Sequence, residues 1–322
     1  MLALPVIEAG RSLSEKMSDM TAIAAAADDL GYHRIWYPEH HSAPGMADFP
    51  PAVMIAHAAA VTSRIRVGSG GVLAPFHVPL SVAEQFGALT LLHPRRIDIG
   101  IGRGPGTFDK AAIRALRRER DMPTREEYAA DVAEVLRLMA DRPEAPEPWM
   151  LASSVEGAGL AAELGLPLSF AHHIRPDSAA EAIERYRTAF RPSLWAEASR
   201  VMVSVTTVCA DTDAQAERLL LPFHLTMAAI GAFGAGPAPL PTPAAAAEHM
   251  VSPKEEPFLH ALRAHSAVGA PETVIGRLEK VARVLDADEL ILSTPVDDAN
   301  HHMHSLELVA RGWKTCSADN DR

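Results

Sequence analysis

Two short β-rich runs, Ile65–Val67 and Ile97–Ile101, each break into glycine where a strand would end, and Pro79–Leu92 between them has helical spacing. This order constrains the fold more than any other feature of the chain. A helix-length connection between two strands lets them lie parallel, whereas antiparallel neighbours need only a tight turn. Parallel α/β folds place their chemistry in the loops at the carboxyl ends of the strands.

The same alternation runs along the chain. Strands are expected at Met1–Ile7, Arg34–Tyr37, Ile65–Val67, Ile97–Ile101, Trp149–Leu151, Leu168–Ala171, Val201–Val208 and Glu289–Ser293. Helical spacing falls between them, at Ser14–Leu30, Ala52–Thr62, Pro79–Leu92, Arg125–Ala140, Val155–Leu164, Ala179–Phe190 and Pro271–Leu285 among others. Eight such units with no second core favour an α/β fold of the (β/α)8 TIM-barrel type over an open doubly wound sheet. Residues 1–322 are read as one domain. A Gly-, Pro- and Ala-rich stretch at about residues 231–253, before the eighth strand, is read as an insertion or lid.

Composition narrows the partners. Hydrophobic residues make up 48% and charged residues 22%, the profile of a globular protein with a sizeable core. Acidic residues outnumber basic ones, 41 to 30, for a net charge of −11. The densest basic run, Arg114–Arg120, lacks interleaved aromatics and reads as a solvated helix face, so no nucleic-acid partner is expected. Cys209 and Cys316 are far apart and define neither a disulfide framework nor a metal site. No apolar run reaches membrane-span length and no signal peptide is recognisable, so a cytoplasmic location is expected.

A barrel would gather the loops Glu8–Gly10, Glu39–His41, Ser69–Gly71, Gly102–Gly106, Ser153–Ser154, His172–His173 and Thr294–Asp297 on one face. In Gly68-Ser69-Gly70-Gly71 the missing side chains admit either a flat ligand against the backbone or a turn of unusual dihedrals. The run Gly100–Gly106 fails the dinucleotide spacing, because glycine is absent at the third required position. It leaves Arg103 at a glycine-flanked strand end, suited to a phosphate or paired with Asp98 or Asp109. Ser153 and Ser154 end a strand and begin a helix, so they form an anion site or a plain N-cap. Of His40 and His41, adjacent on extended backbone, at most one faces the centre, where neutral imidazole suits proton transfer. His172 and His173 follow a strand directly. His301, His302 and His304 lack the helical pair-plus-glutamate spacing of a zinc protease, and no G-x-S-x-G elbow supports a hydrolase.

The segments GYHRIWYPEHH, TSRIRVGSGGVLAPFHVPLSVAEQFGALTLLHPRRIDIGIGRGPG, AAELGLP and VGAPETV, in that order, resemble the bacterial luciferase-like flavin-dependent monooxygenases. The resemblance runs from Pro5 to about Arg311 and implies a barrel binding FMN at its carboxyl face. It implies an oxidoreductase in which reduced FMN, delivered by a separate NAD(P)H:flavin reductase, activates O2 to oxygenate a small or medium organic substrate. Relatives of the same fold use F420, and a non-catalytic flavin-binding role is the other alternative. By matching positions, His40 is the catalytic acid or base, Gly70-Gly71 lies under the flavin ring across a cis peptide bond, and Arg103, Ser153 and Ser154 hold the phosphate. Ser69 and His172 complete the expected cofactor-binding set. A homodimer is also implied. The chain departs from the light-emitting members at Gly102, where they carry a reactive cysteine, and in a shorter first strand, so light emission is not expected.

Overall fold

The computed structural model describes residues 1–320 except Pro143, Ala235 and Pro237, with side chains as far as Lys314. Eight strands form one curled parallel sheet: β1 (Arg34–Tyr37), β2 (Arg66–Leu73), β3 (Ile97–Gly102), β4 (Glu147–Ala152), β5 (Leu168–Phe170), β6 (Val201–Cys209), β7 (Ala267–Gly269) and β8 (Glu289–Ser293). Neighbours from β1 to β6 pair in chain order. The long β6 then serves two partners, β8 along Met202–Thr206 and β7 along Thr207–Cys209.

Among the described residues twelve α-helices lie before, between and after the strands. They are α1 (Leu13–Leu30), α2 (Pro51–Val61), α3 (Pro79–Leu92), α4 (Lys110–Arg117), α5 (Arg125–Ala140), α6 (Val155–Leu164), α7 (Ala179–Ala189), α8 (Asp213–Phe233), α9 (Pro243–Glu248), α10 (Glu256–Ala264), α11 (Pro271–Val284) and α12 (Ala299–Asn320). Their ends follow local chemistry. Ser12 with Glu15, and Thr124 with Glu127, form capping boxes at α1 and α5. Proline opens α2, α3 and α11, where no intrahelical N–H is lost.

Strand alternation sorts the core into two layers. Ile97, Ile99 and Ile101 join Phe86, Val132 and Val135 between sheet and helices. Trp36, Trp149, Met202 and Ile291 pack with Leu2 on the inside of the curl. At the amino ends of the strands that interior is stopped by ions. Asp98, fully buried, accepts from Arg34 at 2.6 Å, Arg66 at 2.5 Å and the Trp36 indole at 2.8 Å. Arg34 also reaches Glu289 at 2.7 Å and lies over the Trp149 ring. Removing Asp98 would strand buried guanidinium charge, the expensive way to break such a cluster.

The segment Met1–Ile7, expected as a first strand, makes only isolated bridges. Leu2 bridges both Trp36 of β1 and Ser293 of β8, so the two strands are joined through it. Beyond Leu4 the segment changes partners: Ala47 donates to the Pro5 carbonyl, Ile7 to Gly45, and Leu240 to Ile7, with Ala9 donating back to Leu240. A regular ladder is lost because each partner serves one or two residues. The 231–253 stretch, of which Ala235 and Pro237 lie outside the described residues, is therefore strapped at Leu240 to the N-terminal segment. It also crosses Gly45 so closely that a Cβ there would lie 2.1 Å from the Ala238 carbonyl oxygen. No helix among the described residues is long and apolar enough to cross a membrane.

Candidate active site

All strands being parallel, the loops after β1 to β5 and β8 leave the sheet at one edge. The first is organised by Glu39, whose carboxylate is buried. One oxygen, Oε1, accepts from His41 Nε2 at 2.8 Å and from His77 Nε2 at 2.7 Å. The other accepts the Leu73 N–H at 2.8 Å, and the His41 N–H donates to the Gly106 carbonyl. The loops after β1, β2 and β3 are thereby tied together. Burial alone would raise the Glu39 carboxyl, but the hydrogen bonds from His41, His77 and Leu73 outweigh it and bring it down to about 2.

His40 turns away from this cluster, as expected for adjacent residues on extended backbone. Its Nδ1 is buried without a hydrogen-bond partner. Burial, reinforced by His41, brings its pKa down to about 4 against the opposing pull of Asp48 and Glu39, so the ring is neutral near pH 7. A cavity of about 590 Å³ lies beside it, lined by Glu39, His40, His41 and His77 and by apolar residues such as Phe49 and Leu89.

The second histidine pair, after β5, also splits. His172 is buried, packs edge-on against His265 with ring centroids 5.8 Å apart, and leaves its own Nδ1 without a partner. His173 instead places Nδ1 2.5 Å from the Ser204 hydroxyl of β6, and lies within electrostatic range of His40.

The glycine-rich end of β2 is shaped by the protein itself. The Ser69 hydroxyl is consumed on the neighbouring strand, donating to the Gly100 carbonyl at 2.9 Å and accepting the Gly100 N–H at 3.0 Å. The Gly70–Gly71 peptide bond is cis, where the β2–β3 register shifts. A Cβ on Gly70 would lie 2.7 Å from Leu2 Cδ1, and one on Gly71 2.7 Å from the Gly100 carbonyl oxygen. Packing of the sheet therefore demands glycine at position 71 before any ligand is considered, whereas at position 70 the obstacle is a side-chain end.

Arg103, exposed after β3, donates to the Pro123 carbonyl at 2.8 Å. Asp98 is taken by Arg34 and Arg66, and Asp109 caps α4, so Arg103 has no carboxylate partner among the described residues. After β4, Ser154 caps α6 by accepting the Gly157 N–H at 3.1 Å, and Ser153 is exposed one residue before it. His301, His302 and His304 disperse: His301 meets Asp298, His304 meets Asp211, and His302 is buried. No three described His, Cys, Asp or Glu side chains group as a metal site would.

The structure thus brings Glu39, His41 and His77 into one cluster, and pairs His173 with Ser204. The sequence reading missed His77 and Ser204, and of the pair His172–His173 it placed only His172 in the cofactor-binding set. His77 lies past a short 3-10 turn, Ala74–Phe76, that separates it from β2, so no strand end flags it. Ser204 lies inside a β-branched run and carries no signal either.

The family model for luciferase-like monooxygenases matches residues 1–287. A luciferase-like monooxygenase of Escherichia coli strain K12 is 35% identical over 321 residues, 96% of this chain and 95% of that protein. The crystal structure of apo-MsnO8 superposes with a TM-score of 0.86 at 31% identity, covering 98% of this chain and 97% of that one. The oxygenating constituent of 3,6-diketocamphane monooxygenase from Pseudomonas putida, solved with FMN, shares the fold at a TM-score of 0.73 and 19% identity, with 96% of each chain covered.

Proposed function

The chain belongs to the luciferase-like monooxygenase family, and from that premise we propose that it is the oxygenase of a two-component system. In this reading it takes reduced FMN from an NAD(P)H:flavin reductase and uses O2 to oxygenate a small or medium organic substrate. The sheet joined through Leu2 is read as a (β/α)8 barrel whose carboxyl face holds the flavin, with residues 231–253 as the insertion over it.

The residues present suit that cofactor. Arg103 offers a guanidinium with no competing carboxylate among the described residues, and Ser153 and the start of α6 offer a hydroxyl and unpaired N–H groups to the same phosphate. Bound reduced flavin would supply the electrons that activate O2. The chain's part is to exclude water and to handle the proton. The observation that carries the proposal is the buried, unpartnered Nδ1 of His40, beside a cavity and kept neutral at pH 7. A neutral imidazole there has one ring nitrogen with a lone pair free to accept a proton.

Two measurements test this reading. Titration of the purified protein with FMN, oxidised and reduced, should give saturable binding; failure to bind either would overturn it. F420 is run alongside, because an F420-dependent secondary alcohol dehydrogenase shares the fold. Substrate-dependent oxygen uptake with a flavin reductase should then fall by about 10²–10⁴ in His40→Ala, with FMN binding retained. Uptake unaltered by the substitution would remove His40 from the chemistry. A homodimer is proposed through α2 and α3, which leave Val53, Leu91 and Leu92 exposed, and light scattering in solution decides it.

A further inference from the structure

The two histidines after β5 are used differently, and His173 has a hydroxyl partner on β6. The Ser204 hydroxyl lies 2.5 Å from His173 Nδ1 and 3.2 Å from the Phe170 carbonyl oxygen. A carbonyl can only accept, so a hydroxyl proton directed at Phe170 leaves Ser204 Oγ to accept from Nδ1–H, whereas one directed at Nδ1 gives the opposite tautomer. In the first arrangement the neutral ring carries its proton on Nδ1 and its lone pair on Nε2. Nε2 makes no hydrogen bond among the described residues, and the residue is partly exposed. His40 lies within electrostatic range, on the loop after β1.

We infer that His173, held as the Nδ1–H tautomer by Ser204, is a flavin-contacting residue whose Nε2 accepts a hydrogen bond from a ring N–H of the bound cofactor. This rests on the flavin reading above. The ring is neutral at pH 7: burial, with smaller contributions from His172 and His40, lowers its pKa to about 4. A protonated ring would carry N–H on both nitrogens and offer no acceptor. His172, one residue earlier, packs edge-on against His265.

The tautomer is tested on the ligand-free wild-type chain by NMR with ¹⁵N-labelled histidine, the His173 signals being assigned from their absence in His173→Asn. Protonated Nδ1 and bare Nε2 are expected; the opposite tautomer overturns the inference. Ser204→Ala should move the signals toward a mixture of tautomers. Binding is tested with oxidised and reduced FMN, the reduced ring having N–H groups that the oxidised one lacks. His173→Asn keeps a donor near Nδ1 but has nothing at Nε2, so it should bind reduced FMN about tenfold more weakly. His173→Gln, with an oxygen near the Nε2 position, should recover most of the loss. Equal weakening of both flavin states supports contact with an N–H common to them, and unchanged affinity for both overturns the contact. Wild-type protein that binds no flavin would instead sink the flavin reading and leave the tautomer result standing.

Discussion

Ser69 and Gly100 exchange hydrogen bonds in both directions across β2 and β3, hydroxyl to carbonyl at 2.9 Å and N–H to hydroxyl at 3.0 Å. The side chain stands in for backbone pairing just before the register shift between Gly70 and Val72. Ser69→Ala would leave the buried Gly100 N–H without this acceptor. We expect it to cost about 1–3 kcal/mol in denaturant unfolding, with the m-value unchanged. Wild-type stability in the variant would mean that another group satisfies Gly100.

The two glycines that follow should differ in their tolerance. A Cβ on Gly70 meets the end of the Leu2 side chain, which can rotate, whereas one on Gly71 meets the Gly100 carbonyl oxygen, which is fixed in the sheet. Gly71→Ala should therefore lower the melting temperature more than Gly70→Ala. The reverse order in a thermal scan would show that the backbone here yields more easily than Leu2.

Glu39 makes stability depend on acid pH. Its carboxyl sits at about 2 in the folded protein, against about 4.3 in an unfolded chain. The folded state thus binds the proton less readily, and the stabilisation is complete above the unfolded value and lost as pH falls from about 5 toward 2. A depression of roughly two units corresponds to about 3 kcal/mol. Glu39→Gln should remove this share of the acid sensitivity and destabilise the protein at pH 7. Identical pH–stability curves for the two proteins between pH 6 and 3 would refute the assignment.

Arg103 is tested by comparing two flavins. If it holds the phosphate, Arg103→Ala should weaken FMN by about 10–100-fold, the range for a hydrogen bond to a charged group. Riboflavin, which has no phosphate, should bind as before. Equal losses for both would assign the effect to loop disorder rather than to phosphate recognition.

Much of the architecture was legible because parallel strands buried on both faces read as short β-branched runs ended by glycine. Two elements escaped for physical reasons. β7 spans only Ala267-Val268-Gly269, too short to carry a period, and exists because the upper part of β6 needs a partner. The N-terminal segment reads as a strand, but its neighbours change from β1 and β8 to the 45–47 loop and Leu240. At the site, sequence separates neither His40 from His41 nor His172 from His173. Which member faces inward is a matter of register, and a shift of one residue exchanges them. The gathering of His41 and His77 on Glu39 is likewise invisible, since it depends on how two strand ends meet in space.

The bridging role of Leu2 also bears on when the fold can be completed during synthesis. Leu2 donates its N–H to the Leu292 carbonyl and Ala3 donates to Trp36, so the seam between β1 and β8 joins residues far apart in the chain. Until β8 has left the ribosome, the inner faces of Trp36 and Leu2 lack Ile291, with which they share a core. A nascent chain of this protein therefore carries an open sheet edge until β8 has been made, the state in which parallel α/β chains are most exposed to misassembly.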